Sequence, residues 1–138
     1  MPSVTKLDVA TQQVQECVER AYAVFPAALS GAHGEACPCC TSEAEVAALW
    51  SAQRRKLSAN DLGNYAAKAM TTWGTPEDYR YFLPRILELV PTPEARSWMG
   101  LGVQLIADKL AYGEWEKWPR AERDVLRAFF LASFLLTV

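Results

Sequence analysis

Thr75-Pro76-Glu77-Asp78-Tyr79-Arg80-Tyr81-Phe82-Leu83-Pro84-Arg85-Ile86-Leu87-Glu88-Leu89 is the stretch whose reading decides the fold class. It opens with a hydroxyl that can accept from an unpaired backbone N–H, a proline at the first helical position where no donor is lost, and two acids that complement the helix dipole. Tyr79, Phe82, Leu83, Ile86 and Val90 then recur at three- and four-residue steps, which places them on one inward helix face. Pro84 lies inside the segment and removes a backbone donor, so a kink or break is expected near Phe82. Pro91-Thr92-Pro93 ends it.

The same signals repeat in both directions. Upstream, Ser58 with Asp61 starts a helix whose Leu62, Tyr65, Ala66, Ala69, Met70 and Trp73 form a stripe running to Gly74. Ser42 with Glu45 is a capping box that opens a short helix to about Gln53, with Val46, Leu49 and Trp50 on its apolar side. The first helix is expected from about Val4 to Ala28. Val14, Cys17, Val18, Ala21, Tyr22 and Phe25 face inward there, and Gln12, Gln13, Gln15, Glu16, Glu19 and Arg20 face outward. Downstream, Thr92-Pro93-Glu94 starts a segment that continues to about Ala111, with a break near Gly100. Glu114 to Trp118 then leads into Pro119 and a last helix through Val125, Leu126, Phe129, Phe130, Leu131, Phe134 and Leu135.

No segment alternates with period two and no Asn-Gly or Asp-Gly hairpin turn occurs, so the expected fold is all-α. The pattern implies one domain over residues 1–138, built as stacked α-hairpins or an irregular bundle of about six helices with little or no sheet. No repeat of fixed length is visible. The final helix is charged in its first half and apolar nearly all round in its second, the mark of a helix buried on several sides. It reads as the central helix of the bundle; a dimer interface, or a chain continuing past Val138 that covers it, are the alternatives.

A hydrophobic fraction of 51% against 22% charged residues supports a packed core. With 14 basic and 16 acidic residues the net charge is -2, too weak a field to recruit nucleic acid or anionic lipid. The N-terminus lacks the apolar run of a secretory signal, and the apolar C-terminal stretch is too short to cross a bilayer. A cytoplasmic protein with reduced thiols is the expectation.

Three of the four cysteines crowd into Cys37-Pro38-Cys39-Cys40, just before a helix start. Three readings are open. Cys37 and Cys40 form a C-x-x-C pair near positive helix-end charge, which favours thiolate and redox work, although the βαβ context of that chemistry is missing. His33, Cys37, Cys39 and Cys40 are four soft donors within eight residues and suit zinc or copper(I), with Cys17 as an alternative fourth ligand, although their spacing is cramped for a tetrahedral shell. Alternatively the thiols are small apolar groups that tuck the loop onto the helices. Cys17, on the stripe of the first helix, is expected in the core. No cofactor is expected unless the metal reading of this loop holds, in which case it is zinc or copper(I), zinc first.

Signals of catalysis are thin. His33 is the only histidine, no G-x-S-x-G elbow or phosphate loop occurs, and Gly100-Leu101-Gly102 lacks the third glycine of a dinucleotide fingerprint and suits helix packing instead. Arg54-Arg55-Lys56 reads as positive charge at a helix end. Five tryptophans exceed the needs of a small core, so Trp98, Tyr112, Trp115 and Trp118 form either a partner surface or a cap on the bundle.

The Cys37-Pro38-Cys39-Cys40 loop, Leu57-Ser58-Ala59-Asn60-Asp61-Leu62, Thr72-Trp73-Gly74, the run from Glu77 to Leu89 and Trp118-Pro119 together resemble a group of uncharacterised bacterial proteins. The likeness covers most of the chain from about residue 36, and Glu77 to Leu89 is its most specific part. It implies a small bacterial cytoplasmic protein, with more helix beyond the position of Val138, and carries no activity. The function expected from these features is a non-enzymatic protein-interaction domain of the adaptor or toxin-neutralising type, acting on a protein partner or as a homodimer. A metal-binding or thiol-redox protein centred on the cysteine loop is the alternative.

Overall fold

A computed structural model of the chain describes the backbone of residues 6–29 and 41–137, with side chains over 8–29 and 41–134. Among these residues the fold is all-α, as expected. The helices are α1 (Lys6–Val24), α2 (Glu43–Ser51), α3 (Ala59–Lys68), α4 (Pro76–Leu89), α5 (Val103–Tyr112) and α6 (Arg120–Thr137), joined by short 3-10 turns at Arg54–Lys56, Pro93–Ser97, Met99–Leu101 and Trp115–Lys117. No strand occurs among the described residues; an isolated parallel bridge links Ala69 and Trp73.

The two expected hydroxyl–carboxylate boxes form, and the expected N-cap Thr75 closes a third with Asp78. Ser42, Ser58 and Thr75 accept from the backbone N–H of Glu45, Asp61 and Asp78, whose carboxylates reach back to the cap residues. Each cap is worth about 1 kcal/mol and fixes where its helix begins. Helix α1 buries the expected stripe from Val14 to Phe25. It runs antiparallel to α6, along which it packs: Phe25, just past its C-terminal end, meets the edge of Trp118, just before α6, at 6.4 Å. Helix α4 packs against α1 and α3.

Four expectations need correction. Helix α4 is unbroken through Pro84. A proline inside a helix costs about 3 kcal/mol, whereas burying each of Tyr79, Phe82, Leu83, Ile86 and Leu87 returns roughly 1.5–3 kcal/mol, so packing decides. Helix α3 stops at Lys68, short of Trp73, because Met70 adopts the left-handed conformation (φ 67°) and the Met70 amide turns back to donate to the Trp73 carbonyl at 3.0 Å. The segment after Thr92 forms two 3-10 turns before α5 begins at Val103, so the break near Gly100 is present and the helix before it is not. A methyl on Gly100 would lie 2.4 Å from the Ala67 amide nitrogen, so this glycine lets its turn press against the α3 backbone. Finally, α4 rather than α6 is central: α6 buries Val125, Leu126, Phe129 and Ala132 but leaves Leu131 and Phe134 in solvent.

Polar ties cross the core. Glu122 on α6 is 2% exposed and takes both arms of the Arg80 guanidinium from α4, at 2.7 Å and 2.5 Å. The same guanidinium stacks 5.8 Å from the Trp118 ring. Removing one member of a buried ion pair strands a desolvated charge, whereas an apolar pair can substitute. Arg80→Met is therefore expected to lose about 3–5 kcal/mol in urea unfolding, and the double change Arg80→Met with Glu122→Leu to recover most of it. Additive single losses in that cycle would contradict this account.

Candidate functional site

His33, Cys37, Cys39 and Cys40 lie outside the described residues. Where the chain resumes, Thr41 is buried, and its hydroxyl receives a hydrogen bond from Lys68 on α3 at 3.3 Å. Cys17 sits in the core as a free thiol, and burial pushes its pKa up, away from the thiolate that a metal or a redox partner requires. Among the described residues no three histidine, cysteine, aspartate or glutamate side chains gather around a common point.

Of the four aromatic residues expected at a partner surface, three are occupied within the fold. Trp118 is buried and donates to the Gly113 carbonyl at 3.1 Å. Trp115 is half-buried, with the Arg127 guanidinium 5.3 Å from its ring. Trp98 lies over Gly63, where a methyl would come within 2.1 Å of the indole, and it donates to Asn60 Oδ1 at 3.2 Å. Tyr112 is 60% exposed.

Two surface features stand out instead, and neither is signalled by a motif. The first is the end of the α1/α6 pair. Val9 is 42% exposed, Leu131 66% and Phe134 63%; Val9 lies near the start of α1 and the other two near the end of α6, the two ends that the antiparallel pairing places at one pole. The exposed row of α6 changes character along its length, from Arg120, Asp124 and Arg127 to Leu131 and Phe134. Exposed large apolar side chains that lie together mark contact surfaces more often than scattered ones do.

The second feature is a cleft of about 320 Å3 between α2 and α3. Leu49, Leu57 and Trp73 line it together with Ala48 and Ala52, and its polar wall carries Glu45, Lys56, Asn60, Asp61 and Asn64. Glu45 bridges the two helices by accepting from Asn64 Nδ2 at 3.0 Å. Its carboxyl is held below the usual range first by the Ser42 amide and then by Asn64 and the Ser42 hydroxyl.

Other buried polar groups have structural tasks. Lys109, 6% exposed, donates from Nζ to the Ala69 carbonyl at 2.8 Å and so closes the C-terminal end of α3; burial pushes its pKa down. Arg54 donates to the Pro26 and Tyr81 carbonyls at 2.7 Å and 2.8 Å, so this cation serves the end of α1 rather than the end of α2. Arg55 pairs with Glu19 on α1 and lies 3.6 Å from the Tyr22 ring centroid.

No family model matches the chain, and no curated protein or solved structure matches it. No helix among the described residues is long and apolar enough to cross a membrane.

The buried Cys17 gives a direct check on the core. In native protein at neutral pH, iodoacetamide should leave the Cys17 peptide unmodified, and urea unfolding should make it react fully, as read by mass spectrometry. Rapid native alkylation of Cys17 would show that α1 does not pack as described.

Proposed function

We propose that the protein is a non-enzymatic interaction domain that engages a protein partner through the apolar pole of the α1/α6 pair. The observation that carries this reading is the exposure of Leu131 and Phe134, two large apolar side chains one turn apart on α6, with Val9 of α1 at the same end. Leu131 is 66% exposed on this helix, and burying such a side chain against a partner would contribute roughly 1.5–3 kcal/mol. The charged row that precedes them, Arg120, Asp124 and Arg127, supplies the polar rim that surrounds such a patch in protein interfaces. This surface is preferred to the tryptophan face because Trp98, Trp115 and Trp118 each already have a partner within the fold. A cytoplasmic setting accords with the free Cys17 thiol.

The test is photo-crosslinking from a benzophenone amino acid placed at Leu131, with Gln104 on α5 as the control position. In extract of the native host, the Leu131 probe should give a discrete heavier species that the Gln104 probe does not, and adding Phe134→Asp should reduce its yield severalfold. Equal labelling from both positions, or no adduct at all, would remove the basis for the reading.

A further inference from the structure

The cleft between α2 and α3 has a polar wall whose unused hydrogen-bonding capacity divides into two halves. An indole N–H only donates, so the bond from Trp98 to Asn60 fixes the oxygen of that carboxamide toward the tryptophan and leaves its NH2 group free. A carboxylate only accepts, so the bond between Asn64 and Glu45 fixes the opposite arrangement there and leaves the Asn64 oxygen free. Asp61 receives the Ser58 amide on Oδ2 at 2.8 Å and keeps Oδ1 as a spare anionic acceptor. The Lys56 ammonium has no hydrogen-bond or ion-pair partner among the described residues.

The donors, an ammonium and a carboxamide NH2, come from Lys56 and Asn60. The acceptors, a carboxylate oxygen and a carboxamide oxygen, come from Asp61 and Asn64. A donor pair that includes a cation matches a carboxylate, and an acceptor pair that includes an anion matches an ammonium. Beside them Leu49, Leu57, Ala48 and Ala52 offer an apolar wall, and Trp73 adds an Nε1 that is buried without a partner. The volume of about 320 Å3 lies at the small end of the range for small-molecule sites.

We propose that this cleft binds a small zwitterion of the α-amino acid type with an apolar side chain. The ligand carboxylate lies against Lys56 and Asn60, its ammonium against Asp61 and Asn64, and its side chain against Leu49 and Leu57. The site is independent of the apolar pole on α1 and α6, so the domain carries a small-molecule input on one face and a protein contact on another.

The experiment is an NMR titration of the full chain with L-leucine, N-acetyl-L-leucine and L-leucinamide, following the side-chain amide signals of Asn60 and Asn64. Free L-leucine is expected to shift both signals saturably, and each derivative, lacking one charge, to bind more weakly by about tenfold or more. Lys56→Met should weaken L-leucine by a similar factor and leave the unfolding midpoint unchanged, because the exposed ammonium supports no contact in the fold. No shift with millimolar L-leucine, equal affinity for all three compounds, or unaltered binding to the Lys56→Met protein would each overturn the proposal.

Discussion

Helix α4 is enclosed by its neighbours, so the polar groups it carries inward must meet partners or leave costly unpaired charge. They meet them in three different elements. Arg80 reaches Glu122 on α6, Arg85 donates to the Leu57 carbonyl at 2.7 Å, and Glu88 accepts from the Tyr22 hydroxyl on α1 at 2.7 Å. Arg85 also pairs with Glu88, so the two ties act through one carboxylate. These contacts are directional, whereas the apolar burial around them is not. Phe82, Leu83 and Ile86 would tolerate a range of helix orientations; the ion pair and the tyrosine bond select one.

An aromatic cluster performs the corresponding task on the other side of α4. Trp50 of α2 stacks on Trp73 with centroids 6.0 Å apart, and Tyr65 of α3 lies 4.9 Å from Phe82 of α4. Among the residues of α2, only Leu49 is fully buried, so that short helix depends on the half-buried Trp50 for much of its attachment. A helix held mainly along one edge does not close over its neighbour, and the cleft occupies the space left beside α3. Glu45 and Asn64 span that space as a polar strut.

Much of this architecture is legible in the sequence because it rests on local chemistry. The boxes at Ser42 and Ser58, the N-cap at Thr75, the stripe of α1 and the burial of Cys17 each follow from residues within a few turns of one another. What escaped reading depends on the tertiary environment. Pro84 breaks an isolated helix, yet burial on both sides overrides it. Met70 continues an apolar stripe perfectly well, and its left-handed turn is needed only because Trp73 must return to Trp50 and Tyr65. The surplus of tryptophan left a partner face and a cap on the bundle both open; Trp118 is buried against the Gly113 carbonyl, and Trp98 is half-buried over Gly63. Of the cleft residues, Asp61 reads as a cap partner and Lys56 as charge at a helix end, while Asn60 and Asn64 carry no signal, since nothing in their spacing tells which hydrogen-bonding valences neighbours will consume.

The Arg54 cap bears on how the molecule is assembled in time. Helix α1 has no basic residue in its last turn, and its closing carbonyls at Tyr22 and Pro26 are served by a guanidinium about thirty positions further along the chain. That guanidinium also lies 5.0 Å from the Tyr22 ring and 4.9 Å from the Tyr81 ring, so it is held by α1 and α4 together. A long loop must therefore close before the first helix is finished, and the entropy of that closure falls due before the contacts it enables are made. The native end of the first helix is thus a shared product of the first segment and the middle of the chain, and neither supplies it alone.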